Sequence, residues 1–197
     1  MKFSLITIVL LFCLSAKSQT EFEELLNKHL LEFTMPEGFQ EVAVKENPDM
    51  YYNFAMKLIG EEFEVRYTIM SLRKMCEDYK NTKNDSTRMM IDPNKFHKSM
   101  VIANILNISQ IDMAKEPIPQ ITPFSPKAVK EEFGCEYGGS TFFKVNSTFS
   151  IGYKYCSFVV LHKDNVADVY ISFLGKKKKK IPAWMFKAFY ALKFVNE

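Results

Sequence analysis

The residues able to do chemistry in this chain are few and scattered. His29, His97 and His162 are its three histidines, and none has a second His, Cys or carboxylate at a metal-ligand spacing such as H-E-x-x-H or C-x-x-C. No metal site is expected, and a histidine on a helix face (His29) or at a strand end (His162) is expected to be a structural or surface group. Gly138-Gly139-Ser140 lacks the G-x-S-x-G spacing of a nucleophile elbow, and Gly134, Gly138 and Gly139 do not form a phosphate loop. With seven glycines in the whole chain, a nucleotide site has little to be built from, and no cofactor is expected. Glu61-Glu62 and Glu131-Glu132 are adjacent pairs, which on a helix point apart and read as solvated charges rather than as a general acid and base.

Cysteine chemistry is equally sparse. Cys13 falls in an N-terminal apolar segment, leaving Cys76, Cys135 and Cys156, an odd and widely spaced set that is no disulfide framework. At most one pair forms; Cys135–Cys156 is favoured because the two flank a predicted hairpin. An enzymatic alternative is a site assembled by the fold from separated residues such as His162, Asp164 and Cys156, which would leave no motif.

The one concentrated feature is basic. Lys176, Lys177, Lys178, Lys179 and Lys180 join a predicted strand to a helix carrying Trp184, Met185, Phe186, Phe189 and Tyr190. It reads as a solvated turn before a core-packed helix. The alternative is a contact with an anionic surface, in which Trp184 and Phe186 dip into a membrane interface and each lysine contributes about 1 kcal/mol.

The start of the chain gives its address. Met1-Lys2 is a short positive start, Ser4–Ser15 is apolar but too short for the roughly 20 residues that cross a bilayer, and Ala16-Lys17-Ser18 precedes Gln19 with small residues where a signal peptidase needs them. The expectation is a cleavable signal over 1–18, a cut between Ser18 and Gln19, and a single domain over 19–197 that is periplasmic or secreted. No later apolar run approaches membrane-spanning length, so no transmembrane segment is expected after cleavage. Net charge is +3; losing Lys2 and Lys17 leaves +1, and the five-lysine run holds enough of it that the rest of the mature body is −4. Such local basicity is no nucleic-acid footprint, and DNA and RNA are excluded as partners. A hydrophobic share of 47% with 18 Phe argues for a packed body rather than a disordered one.

The elements that must position these residues follow from periodicity. Thr20 and Glu23 have capping-box spacing, and Phe22, Leu26, Leu30 and Phe33 recur at helical intervals, predicting a helix through Phe33. After the Pro36–Gly38 break, Gln40–Lys45 alternates as a strand, and residues 51–70 alternate on both sides of Gly60-Glu61-Glu62 as a hairpin. Lys74–Met90 has no period and reads as a long exposed loop. Asp92-Pro93 predicts a helix to about Ser109 that packs Phe96, Met100, Ala103 and Leu106, and Ser125-Pro126 predicts a short helix stopped at Gly134. Strands follow over Thr141–Val145, Gly152–His162 and Val166–Leu174, the last with Ala167, Val169, Ile171 and Phe173 inward, and Pro182 opens a closing helix through Phe194. Tight turns between neighbouring strands give a mainly antiparallel sheet with helices on its faces, an α+β layered domain.

By these residues the chain resembles the PsbP-like fold, shared by extrinsic lumenal proteins of photosystem II, a Ran-binding nuclear import factor and many secreted bacterial proteins. The resemblance rests on Phe33-x-x-Pro36-x-Gly38-Phe39, the Tyr52–Ile69 hairpin and the passage from Ala128 through Phe133-Gly134-Cys135 to Gly138-Gly139. It continues through Val166-Ala167-Asp168-Val169-Tyr170 to Leu192-Lys193-Phe194, covering nearly the whole mature chain. It implies an α/β/α sandwich, transfers no catalytic residue, and does not carry the photosynthetic or nuclear partners to this chain. The expected function is an exported, non-enzymatic binding or accessory module of a bacterial envelope, with a protein or small ligand as partner.

Overall fold

The period-2 pattern of residues 51–70 forms a hairpin because one register buries a whole apolar set. Strand β3 (Phe54–Leu58) pairs antiparallel with β4 (Phe63–Ser71), Phe54 facing Tyr67 and Met56 facing Val65, around a turn in which Gly60 takes φ +78°. This computed structural model describes residues 21–85, 87 and 91–195; the expected signal segment, its expected cut site and the expected Thr20 cap lie outside the described residues. Around the hairpin stand β2 (Phe39–Glu41), β5 (Thr122–Pro123), β6 (Tyr137–Lys144), β7 (Tyr155–Lys163) and β8 (Ala167–Gly175), in the order β2-β3-β4-β8-β7-β6-β5 with every pairing antiparallel. The edges are strands of three and two residues, the latter containing Pro123, which leaves little open backbone for a foreign strand.

Helices cover both faces of this seven-stranded sheet, so the fold is α+β. On one face Phe63, Val65, Tyr67, Val159, Leu161, Ile171 and Phe173 pack under α1 (residues 21–28), α4 (Pro126–Phe133) and α5 (Ile181–Ala188). On the other, Cys156, Phe158, Val160, Tyr170 and Leu174 meet Val101, Ile105 and Ile108 of α3 (His97–Ile108). Strand β8 lies between two full-length neighbours and under both layers, so all nine of its residues are buried, not only the four predicted to face inward. Helix α4 forms as its cap residues dictate: the Ser125 hydroxyl accepts the Ala128 N–H at 3.2 Å, and Gly134 ends the helix at φ +61°.

Four predicted elements differ. Part of the predicted 74–90 loop is helix α2 (Arg73–Thr82), whose one buried residue, Cys76, is too little to print an apolar stripe on the sequence. The α3 face turns on Val101, Ile105 and Ile108 because Pro93–Lys95 first makes a tighter 3₁₀ turn, capped by Asp92, and the α-helix proper starts at His97. The first helix ends at residue 28 and the last at Ala188. Each is followed by a short strand, β1 (Leu31–Phe33) and β9 (Leu192–Phe194), which pair with each other, Leu31 facing Phe194. Leu26, Leu30 and Phe33, and likewise Tyr190 and Phe194, are spaced three or four apart and so fit a helix, and the strand partner that decides lies at the other end of the chain.

Candidate functional site

One rung of the sheet gathers most of the titratable side chains that matter. Register places Met70 of β4, Asp168 of β8, His162 of β7 and Tyr137 of β6 side by side across four strands. The His97 ring at the start of α3 stacks on His162, centroids 4.1 Å apart at 26°, and lies 4.8 Å from Tyr137. Asn94, in the 3₁₀ turn, fixes this approach: its side-chain oxygen accepts the Asn165 N–H at 2.8 Å, tying the turn to the β7–β8 connection, where Asn165 takes φ +61°.

His162 is held between two carboxylates. Its Nδ1 lies 2.6 Å from Asp168 Oδ1 and its Nε2 2.8 Å from Asp164 Oδ1, with His162 1% exposed and Asp168 fully buried. Burial alone would lower the imidazole, but the two carboxylates outweigh it and hold the His162 pKa above its ordinary value. His97 goes the other way: burial first, then the neighbouring His162, push it below the ordinary value, with a smaller opposing effect from the Asn94 carbonyl. The Asn94 oxygen accepts from His97 Nδ1 at 2.8 Å, and among the described residues His97 Nε2 is buried without a partner. With His162 protonated, the Asp164–His162–Asp168 trio keeps a net single negative charge. Among the described residues, the second oxygen of Asp168 accepts a long bond, 3.4 Å, from the Tyr170 hydroxyl.

Asp168 also faces a cavity of about 490 Å³ beneath α2, the 3₁₀ turn and the start of α3. Met70, Leu72, Met75, Pro93, Phe96 and Met100 form its apolar wall; Asp78 on α2 stands at its edge, and Asp168 borders it without being exposed to it. Met70 and Met100 separate it from a second hollow of about 330 Å³ that reaches toward Asn47–Tyr51. Met75, Ile91 and Phe96 are exposed, so the apolar lining is open to solvent on that side.

Of the sequence candidates, the fold brings His162 and Asp164 together but leaves Cys156 six residues away along β7, roughly 20 Å at about 3.3 Å per residue. Cys135 and Cys156 do not pair. They sit at opposite ends of the β6–β7 hairpin and in cores on opposite faces of the sheet, and all three described cysteines are free and buried. Burial pushes the Cys135 thiol up to about 12 and raises Cys76 and Cys156 as well. The native protein is therefore expected to resist a thiol reagent such as dithionitrobenzoate under non-reducing conditions, and to release three thiols per mature chain once unfolded in guanidinium. A count of one would establish the bridge.

Lys176–Lys180 is an exposed turn, as read from the sequence, with a 3₁₀ turn over Lys178–Lys180. Lys176 pairs with Glu62, Lys180 lies 3.9 Å from Glu61, and Lys178 and Lys180 sit over the rings of Phe142 and Trp184. Trp184 is a correction to the interface reading: it is 8% exposed and packs against Phe63, so it cannot dip into a membrane without leaving the core. Phe186, at 78%, is the exposed ring of that helix. His29 is buried, and its pKa is lowered chiefly by that burial. Among the described residues no group of three or more His, Cys, Asp and Glu is placed to hold a metal ion, and no helix is long and apolar enough to cross a membrane.

No family model and no curated protein matches the chain. Sequence reasoning missed Asp168, His97 as the ring stacked on His162, and the methionine-lined cavity. A signal for the first existed: His162 and Asp168 flank the Lys163–Asn165 turn, and a hairpin closing there puts positions six apart opposite one another.

Proposed function

We propose that this chain is an exported, non-enzymatic binding module of a bacterial cell envelope, built on a PsbP-like fold, whose small apolar ligand occupies the cavity beneath α2 and α3. The observation that carries this reading is the cavity itself, with three methionines, unbranched side chains that repack around a guest, on an otherwise apolar wall. The sheet covered by helices on both faces supports the PsbP-like kinship. Catalysis is disfavoured because both ring nitrogens of His162 are engaged by carboxylates, which leaves neither free as a base, and because Cys156 is remote and held as a thiol.

The uncharged probe N-phenyl-1-naphthylamine is expected to brighten on binding the mature protein, saturably and with one site. Met75→Trp is expected to weaken it about tenfold by filling the mouth, a loss of roughly 1.4 kcal/mol; Met75 is exposed, so the fold survives the change. A linear, non-saturating signal, or one blind to the substitution, would remove the cavity reading. Export is checked separately: N-terminal sequencing of the mature protein is expected to begin at Gln19.

A further inference from the structure

The roof of the cavity changes character at Val101. From there on α3 is anchored by the fully buried Val101, Ile105 and Ile108, whereas the segment before it, which gives the cavity Pro93, Phe96 and Met100, has Lys95, Phe96, Lys98 and Ser99 exposed. The ring by which that segment reaches the sheet is His97, stacked on His162 with centroids 4.1 Å apart. Its Nδ1 lies 2.8 Å from the Asn94 carbonyl, which can only accept, so Nδ1 holds the hydrogen and a neutral His97 keeps a bare Nε2. Among the described residues Nε2 is buried without a partner, so a proton arriving there finds no acceptor. It would also set a second cation against His162, which Asp164 and Asp168 keep charged. Burial first, and then His162, hold the His97 pKa below its ordinary value; the Asn94 carbonyl and Asp168 of β8 oppose this more weakly, and Lys98 of α3 adds to it. Tyr137 of β6 and Cys76 of α2, whose thiol donates to Asn94 Oδ1 at 3.6 Å, are kept neutral by burial.

We propose that the His97–His162 stack is an acid-released latch: protonation of His97 lifts the 3₁₀ turn and the first turn of α3 off the sheet, while α3 stays anchored from Val101 onward, and so withdraws Phe96 and Met100 from the cavity wall. A histidine whose pKa in the closed form lies below 6.5 leaves that form intact above 6.5, and the closed form loses stability as pH falls from there through the lowered value. His162, held above the ordinary value, stays charged through that window and is not the group that switches. The latch needs no ligand; its consequence, weaker holding of an apolar guest in acid, rests on the cavity being the ligand site.

NMR titration of the ligand-free mature protein from pH 7.5 to 5.0 reads both ends of the latch. The His97 ring is expected to titrate below 6.5, and the Met100 methyl to move with the same midpoint toward the position of the exposed Met113 methyl, while Met56, in the core on the opposite face, stays in place. In His97→Gln, which cannot take up charge, the Met100 methyl is expected to stay put over the same range; His97→Phe, uncharged and able to stack, is the second variant. His29 still titrates in both, so its charging cannot account for the difference. A Met100 shift that persists in either variant, or a His97 titration that leaves Met100 in place, would overturn the latch. The affinity for N-phenyl-1-naphthylamine is expected to fall severalfold from pH 7.5 to 5.0 in the wild type, because the closed form is then a smaller fraction of the protein, and to stay level in the variants. Equal probe affinity at both pH values in a wild type whose Met100 moves would overturn acid release. A probe that binds at neither pH would remove the cavity reading, and the methyl titration would still decide the latch.

Discussion

Replacing Asp168 with alanine is expected to cost about 3–5 kcal/mol, the range for removing one partner of a buried ion pair. Against a total of roughly 5–15 kcal/mol for a domain, such a loss brings the protein near the edge of unfolding. The reason is local. His162 is 1% exposed and its Nδ1 lies 2.6 Å from Asp168, so the truncation leaves an imidazolium in the core with Asp164 alone to balance it. The sign with pH follows from the raised His162 pKa. A histidine held above its ordinary 6.5 in the folded state contributes stability that is complete below 6.5 and is lost as pH rises through the folded value. Urea unfolding of both proteins is therefore expected to show a larger gap at pH 5.5 than at pH 9. A gap under about 1 kcal/mol, the worth of an ordinary net hydrogen bond, or one that does not shrink with pH, would mean that the pair is not charged as described.

Phe133→Ala is the second large effect, expected at about 3–5 kcal/mol for deletion of a packed aromatic. Phe133 ends α4 at 1% exposure, its ring 5.8 Å from Phe124 and 5.5 Å from both Phe189 and Tyr190, so its removal opens a space among three packed rings. Phe186→Ala is the control. That ring is 78% exposed, and its loss is expected to change stability by no more than about 0.5 kcal/mol, as surface substitutions do. Equal melting temperatures for wild type and Phe133→Ala would place that face of α4 in solvent.

The two aromatic cases mark what local sequence can carry. Phe133 is legible because it sits four residues after Val129 on a helix whose ends are set by Ser125-Pro126 and Gly134, all within one short window. The 51–70 hairpin is legible for the same reason, its period and its turn residues agreeing. Legibility fails where the deciding partner is distant. Phe194 follows Tyr190 at a helical step of four, and only pairing with Leu31–Phe33 at the far end of the chain makes Leu192–Phe194 a strand. The candidate site fails in the same way. Met70, Met75, Met100 and Asp168 come from β4, α2, α3 and β8, and no window holds two of the four elements at the distances that matter except the two methionines near α2. A polar residue in a buried strand was the available clue: Asp168 interrupts an apolar run, and a buried carboxylate implies a nearby donor. Cys135 and Cys156 show the opposite error, since a hairpin brings together residues equidistant from its turn, not residues at its two ends.

The central claim, that the cavity beneath α2 and α3 is a ligand site, is tested most directly by methionine-methyl NMR of the mature protein titrated with decanol. Met70, Met75 and Met100 line the cavity, Met56 lies in the core on the opposite face of the sheet, and Met113 is exposed in a loop. The expected result is saturable shifts of the Met70, Met75 and Met100 methyls with a common affinity, while Met56 and Met113 stay in place. Shifts spread over all five methyls, or none at saturating decanol, would contradict it.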